Sequence, residues 1–298
     1  MASLKDLKNR INSVKSTQKI TKAMKMVAAA KLRRAREQAE AARPYSEAME
    51  NILISVANSA KNSSNLPKML SGTGSNDRQL IVVATSDRGL CGGFNSSIVR
   101  AVRRKVKDLQ SKGITVKLMF VGRKGYEQLG HEFKSIIISK SELNKKKLNY
   151  SDAEEISKDI IARFDAGDFD VCHVVYNKFK SAISQIVTFQ QLIPFNIDNL
   201  NIEENQESKS TNYSSPYEYE PDQTEVLNDL LPRNLGVQMY KALLENAASE
   251  QGARMTAMDN ATRNAGEMIK KLSLTYNRTR QAAITKELIE IISGAEAV

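Results

Sequence analysis

The last third of the chain, from about residue 225 to residue 293, constrains the fold more than any other stretch. It has no proline after Arg233, and its small and apolar residues recur at alternating steps of three and four. A period near 3.5 is typical of a helix that packs along one seam against another helix. Such a helix would extend on the order of 90 Å and would need a partner to cover its seam. The seam positions are Met258, Ala261, Ala265, Met268, Leu272, Thr275, Thr279 and Ala282.

The N-terminal segment, residues 1–60, has the matching period and is the predicted partner helix in a long antiparallel coiled coil. Ser3 and Asp6 suit a helix start. Three polar residues stand in the middle of its seam, where they weaken pairing but can fix the register of the two helices. The seam positions are Leu4, Leu7, Ile11, Val14, Gln18, Thr21, Lys25, Ala28, Leu32, Ala35 and Ala39.

Positive charge is concentrated on the same N-terminal helix. Residues 1–43 contain twelve Lys or Arg against three acidic residues, a balance of +9, and the whole chain carries +10. A solvated helix face is one interpretation, and a cationic surface for an acidic partner is the other. Basic regions that enter DNA precede a zipper within a dimer, whereas this helix is predicted to pair with the chain's own C-terminus. We therefore expect no nucleic-acid partner.

The middle of the chain, residues 77–195, alternates short β-branched apolar runs with helical stretches. Strands are predicted at residues 79–85, 114–121, 134–138, 170–176 and 187–192, and helices at about residues 95–111, 123–130 and 152–165. Alternation of buried strands and helices predicts a parallel sheet covered on both faces. The last strand is close enough to the preceding one to form a hairpin. We expect an open, Rossmann-like α/β domain between the two long helices.

A polar segment, residues 196–224, separates this domain from the long C-terminal helix, residues 225–298. It is strongly acidic and carries a single lysine. A polar segment of this length inside a compact domain would be unusual. We interpret the segment as a linker or surface loop whose aromatic tip, residues 217–220, contacts a partner.

The first predicted strand runs into a glycine-rich turn, Ser86 to Asn95, where an α/β sheet would bind a phosphate. The spacing matches neither GxGxxG nor GxxxxGK[ST], and no lysine closes the turn. A tight turn that packs against a neighbouring subunit is the favoured interpretation. Two cysteines and two histidines match no zinc spacing or catalytic motif. We therefore expect no cofactor, no metal and no catalytic site in this chain.

Three segments together closely resemble the gamma subunits of F-type ATP synthases. They are ITKAMKMVAAAKLRRA (residues 20–35), SDRGLCGGFN (residues 86–95) and the tail from ASEQGARM to the C-terminus, with Ile284-Thr285-Lys286-Glu287 as its most specific part. The resemblance follows nearly the whole chain in order. The start at MASLKDLKNRI, without a transit peptide or the cysteine-bearing chloroplast insertion, indicates the bacterial type.

The resemblance implies a central rotor stalk. The paired helices would turn inside a hexamer of α and β subunits, and the α/β domain would form a foot on the c-subunit ring beside the epsilon subunit. Proton-driven rotation would change the nucleotide affinities of the β subunits, which carry the chemistry. The expected location is the cytoplasmic face of the bacterial inner membrane, as a peripheral protein without direct membrane insertion. No apolar run is long enough to span a bilayer.

The resemblance also implies contact residues in three groups. The first group faces the hexameric ring of α and β subunits. It comprises Met24, Arg254, Arg280, Gln281, Thr285 and Glu287. The second group lies near the epsilon subunit and near an acidic segment of the β subunit, here called the acidic lever of β. It comprises Asp87, Arg88 and Cys91. The group at the c ring comprises Tyr217, Tyr219 and Glu220.

The residues alone, without the resemblance, leave two functions of other classes open. One is a nucleotide-binding α/β protein with coiled-coil arms, which would bind nucleotide through residues 77–195 alone. The other is a basic coiled-coil protein that binds nucleic acid, which would show strongly salt-dependent duplex affinity.

Overall fold

A computed structural model describes residues 3–60, 66–143, 148–195 and 223–296. The chain divides into two compact units. The first unit comprises residues 1–30 and 254–298, and the second comprises residues 31–253.

Helix α1 spans Leu4–Ala60 and confirms the predicted N-terminal helix. Its first turn is closed by a reciprocal cap, in which the Asp6 backbone N–H donates to Ser3 Oγ at 3.2 Å and Asp6 Oδ2 accepts from the Ser3 hydroxyl at 2.9 Å. The helix continues through Pro44. All eleven predicted seam residues of α1 are buried or half-buried, whereas most residues between them are exposed.

The C-terminal helix spans Gln223–Glu296, beginning two residues before the predicted start; we label it α6. Met258 and Ala265 on its predicted seam are buried, whereas Met268 is 49% exposed. In the first unit the two helices are antiparallel. Lys25 contacts Asp259, and Gln18, which comes earlier in α1, contacts Thr262. The predicted antiparallel pairing is confirmed.

The second unit contains a five-stranded sheet with the order β3-β2-β1-β4-β5. The strands β1 to β4 run parallel, and β5 pairs with β4 as the predicted antiparallel hairpin. This open α/β arrangement confirms the predicted fold class. The strands are β1 Arg78–Ala84, β2 Thr115–Val121, β3 Ile137–Ser141, β4 Val171–Phe179 and β5 Gln185–Ile193. The remaining helices are α2 Lys68–Ser71, α3 Phe94–Ser111, α4 Arg123–Leu129 and α5 Tyr150–Asp165.

Alternate residues of β1 belong to two different cores. Leu80 and Val82 pack with α5 and with residues 235–243 of α6, while Ile81 and Val83 pack with α3. Since successive side chains of a strand point to opposite faces, both faces of the sheet are covered. Burial on both faces explains why β1 reads as a continuous apolar run.

Several element boundaries differ from the sequence prediction by one to three residues. Residues 134–136, predicted as the start of the third strand, form a 3₁₀ turn, and β3 begins at Ile137. Helix α5 begins two residues earlier than predicted, because Asn149 and Asp152 form a capping box. The short helix α2 was not predicted. The predicted linker, residues 196–224, lies outside the described residues except for its last two positions, which belong to α6.

Candidate functional site

A polar layer joins the two helices of the first unit. It consists of Gln18, Thr21 and Lys25 of α1 with Asp259 and Thr262 of α6. The Lys25 ammonium lies 2.6 Å from Asp259 Oδ1, the Thr21 and Thr262 hydroxyls lie 2.8 Å apart, and Gln18 Nε2 donates to the Thr262 carbonyl at 3.4 Å. The hydrogen bond from Lys25 lowers the pKa of the Asp259 carboxyl. Every polar residue in the middle of the α1 seam therefore has a partner on α6.

An apolar stripe made of Ile20, Met24 and Val27 lies on α1. Met24 is half-buried, while Ile20 and Val27 are 59% and 57% exposed. The spacing i, i+4, i+7 places the three on one helix face. The sequence analysis identified Met24 alone; the helical spacing was the signal that would have found the other two.

Five candidate contact residues lie on the α6 portion of the first unit. Arg254 is half-buried, and the other four are exposed. Between Arg254 and Arg280 the helix extends about 39 Å, so they form two separate groups along one axis. Within the distal group, the Thr285 hydroxyl donates to the Gln281 carbonyl at 3.0 Å. The distal four are Arg280, Gln281, Thr285 and Glu287.

An apolar tip continues α6 beyond these residues. Every side chain from residue 284 to 293 is exposed, and clustered exposed apolar side chains are typical of an interaction site. This tip was not predicted from the sequence, although its spacing of three and four is an amphipathic signal. Its members are Ile284 (49% exposed), Leu288 (53%), Ile291 (68%) and Ile292 (57%).

The glycine-rich turn follows β1 in the second unit. Asp87 Oδ1 accepts a hydrogen bond at 3.0 Å from the backbone N–H of Arg123, and Arg88 is exposed. Cys91 is only 2% exposed, and its Sγ accepts from Asn95 Nδ2 at 3.2 Å. Because Cys91 is buried, it shapes the turn from inside, which differs from the expected surface contact. Leu90, which is 64% exposed, is the apolar side chain that this turn presents to solvent.

The three candidate c-ring residues, Tyr217, Tyr219 and Glu220, lie outside the described residues. Within the described ranges, no helix is long and apolar enough to cross a membrane. Nor does the described part of the chain contain a cluster of three or more His, Cys, Asp or Glu side chains suited to a metal ion.

A cavity of about 740 Å³ lies in the second unit, where α1, α5 and α6 meet. Its lining includes Arg43, Tyr150, Tyr240 and Glu245, and none of its residues belongs to the glycine-rich turn. Burial raises the pKa of the Glu245 carboxyl. The cavity is therefore separate from the place where an α/β sheet would hold a phosphate.

The two units define a class of protein: one is an antiparallel two-helix coil, and the other contains an open, Rossmann-like sheet. A protein-family model described as ATP synthase matches residues 3–298. The chain belongs to this family.

The relatives are similar along their whole length. The ATP synthase gamma chain of Rhodospirillum rubrum is 57% identical over 299 residues, covering 100% of both chains. That of Pelagibacter ubique is 55% identical with the same coverage.

Two solved structures are similar in fold. A chain from the central stalk and c-ring of the Tetrahymena thermophila mitochondrial ATP synthase has a TM-score of 0.62 at 30% identity, covering 81% of this chain and 99% of that one. A chain from the Euglena gracilis mitochondrial ATP synthase (OSCP, F1 and c-ring) has a TM-score of 0.67 at 20% identity, covering 99% and 94%; it supports the fold alone.

Proposed function

We propose that this chain is the rotating central shaft of a bacterial F-type ATP synthase. The full-length identity to ATP synthase gamma chains, 57% with complete coverage, is the observation that carries the proposal. The chain couples rotation of a c ring to ATP synthesis or hydrolysis at β subunits. It has no catalytic site of its own, because its task is mechanical.

The geometry of the first unit suits this task. Two paired helices are stiffer than one, and a single shaft inside a threefold ring cannot make three identical contacts at once. Each β subunit then meets a different face of the shaft. The difference constitutes a coupling free energy between shaft angle and nucleotide affinity.

The ring contacts fall at two heights on the shaft. Near the polar layer, Met24 and Arg254 face the lower part of the ring, with Ile20 and Val27 adding apolar contact. At the distal end, the ring covers the apolar tip, and the polar residues beside it form directional hydrogen bonds. Arginine suits this role because its planar donor group holds carboxylates and carbonyls in a fixed direction. The polar residues are Arg280, Gln281, Thr285 and Glu287.

The second unit serves as the foot. Asp87 and Arg88 of the glycine-rich turn face the epsilon subunit and the acidic lever of β, together with the exposed Leu90. Cys91 contributes by holding the turn in shape. The foot places the chain peripherally at the cytoplasmic face of the inner membrane, attached through the c ring and not by insertion.

Tyr217, Tyr219 and Glu220 provide the c-ring contact in this proposal, because they combine aromatic surface with negative charge. The variant Glu220→Lys should weaken ATP-driven proton pumping in membrane vesicles while the detached complex hydrolyses ATP near the normal rate. Normal pumping by this variant would place the c-ring contact elsewhere.

The decisive experiment is reconstitution. The purified chain should join α and β subunits in one complex of 3:3:1 ratio, as the resemblance implies, and that complex should hydrolyse ATP. A chain that remains separate from α and β under these conditions would refute the proposed function.

A further inference from the structure

We infer that the polar layer fixes the axial register of the two shaft helices and so positions the ring contacts of α1 and α6 relative to each other. The inference rests on the proposed function for its mechanical consequence. The register itself is a property of this chain and is measurable without any partner.

The contacts in the layer are specific pairs. Lys25 and Asp259 form an ion pair at 2.6 Å, and their side chains are 43% and 37% exposed. Asp259 also lies 3.6 Å from Arg263 on its own helix. The Asp259 carboxylate is therefore held by Lys25 across the seam and by Arg263 on its own helix.

Beside the ion pair, two threonines meet across the seam. Thr21 is only 8% exposed, and its hydroxyl lies 2.8 Å from that of Thr262. Each hydroxyl also lies close to a carbonyl of its own helix, Thr21 to that of Gln18 at 3.1 Å and Thr262 to that of Met258 at 2.7 Å, so what the observed alignment adds is the contact between the two helices.

The layer matters because, within the first unit, the apolar part of the seam does not define a unique register. A heptad pattern matches itself again after seven residues, so a slip of one heptad keeps small and apolar residues at the interface. A polar residue in the seam is a recognised means of excluding such alternatives.

The sequence of α6 shows what a slip would cost. In the observed register Lys25 faces Asp259. Seven residues away in either direction stand Gly252 and Gly266, which offer no carboxylate. The same slip would place Met255 or Ile269 opposite Thr21 in place of Thr262. Both slipped registers lose the ion pair and the hydroxyl contact together.

Gly266 adds a steric reason for the observed register. A Cβ at this position would come within 3.0 Å of Gln18 Nε2, so the backbone of α6 lies close to the Gln18 amide. The close approach at Gly266 and the ion pair at Asp259 thus define the same alignment from two points, about two helical turns apart.

A slip would shift the contact residues of the two helices by a large axial distance relative to each other. One heptad corresponds to about 10 Å along the helix axis. Met24 on α1 would then move by that amount relative to Arg254 and the distal contacts on α6. The contact residues of α1 and α6 would then no longer lie at the axial positions at which both meet the same ring of α and β subunits.

The register can be measured by electron-spin distance on the full chain. Spin labels at Thr17 and Asn277, both exposed, would be attached after Cys91 and Cys172 are replaced by alanine. A one-heptad slip changes their axial separation by about 10 Å. We expect one distance in the parent chain and a second population in Lys25→Glu and in Asp259→Lys. The charge-exchanged double variant should return to one distance.

Lys22→Glu is the matched control, because it makes the same charge change on an exposed position of the same helix. It should keep a single distance. The neutral pair Lys25→Gln with Asp259→Asn retains a hydrogen bond and should also keep the register, which gives a second test if a charged variant fails to fold. Unchanged distances in both single charge variants would overturn the inference.

The mechanical consequence is tested in the reconstituted complex. The single charge variants should lower the ratio of protons pumped to ATP hydrolysed by about threefold or more, and the double variant should restore it. A merely structural role would lower melting temperature and hydrolysis without changing this ratio. A ratio unaltered in both single variants would reject the positioning role, whereas failure of the parent chain to assemble would reject the proposed function instead.

Discussion

At the residue scale, Met24 shows how a soft side chain suits a moving contact. Methionine is flexible and uncharged, so it slides past a partner with little preference for angle. We predict that Met24→Lys leaves the complex assembled and active but poorly coupled. The added charge forms an ion pair with the acidic lever of β at some shaft angles, worth about 1 to 4 kcal/mol when partly desolvated.

The measurement is the Arrhenius slope of ATP turnover together with ATP-driven proton uptake. The slope should be steeper in Met24→Lys, because an extra contact must break in each step. Ala23→Lys adds the same charge at the adjacent exposed position and should behave like the parent chain. Indistinguishable slopes for parent and Met24→Lys would remove Met24 from the coupling surface.

His173 in β4 provides a second prediction at this scale. Burial, with a smaller contribution from Lys105, lowers its pKa from 6.5 to about 4, and its Nδ1 is buried without a hydrogen-bond partner. The unfolded state therefore binds more protons than the folded state between these two values. Stability should fall as pH decreases from about 6.5 to about 4, by roughly 2 to 3 kcal/mol.

Urea unfolding of the full chain across this pH range would measure the effect. His173→Gln should flatten this part of the pH profile. His131→Gln, at an exposed position, should leave the profile as it is. An equally steep profile in His173→Gln would show that other groups cause the acid sensitivity.

At the element scale, the join between β2 and α4 depends on one glycine. Gly122 has φ +100°, and a Cβ there would collide with the carbonyl oxygen of Thr85 at the end of β1. The backbone cannot yield there, because Thr85 N–H is bonded to Val121 O at 2.8 Å. We predict that Gly122→Ala destabilises the chain by at least about 3 kcal/mol.

Gly113 offers a matched control for this prediction. It also has a positive φ, +79°, but a Cβ there meets open space, so Gly113→Ala should cost only about 1 to 2 kcal/mol. Unfolding free energies of the two variants would be compared. Equal losses would mean that backbone conformation alone, and not the contact with Thr85, determines the cost at Gly122.

At the scale of the whole molecule, the absence of a phosphate-loop lysine after Gly92-Gly93 leads to a prediction about nucleotide. The isolated chain should neither bind nor hydrolyse ATP appreciably. Calorimetric titration of the full chain with ATP and magnesium measures this directly, with the reconstituted complex as the positive control. A micromolar site on the isolated chain would favour the nucleotide-binding alternative.

The sequence by itself determined the elements and their class. Heptad spacing is a local property, so it predicted both long helices and the seam of α1, including the buried Ala28 and the polar Lys25. On α6 the predicted seam is only partly covered, because Met268, Thr275 and Ala282 are exposed. The apolar runs likewise marked the strands, because buried parallel strands are apolar on both faces. The resemblance to gamma subunits then supplied candidate contacts such as Arg254 and Glu287.

Only the tertiary structure decided which residues meet and which face solvent. The pairing of Lys25 with Asp259 joins positions 234 residues apart, and no local period encodes such a distance. The same holds for Cys91, which is buried in a core that also contains the distant Phe120 and Val175. The exposure of the apolar tip of α6 likewise depends on how the two helices align, which the local spacing of the tip does not encode.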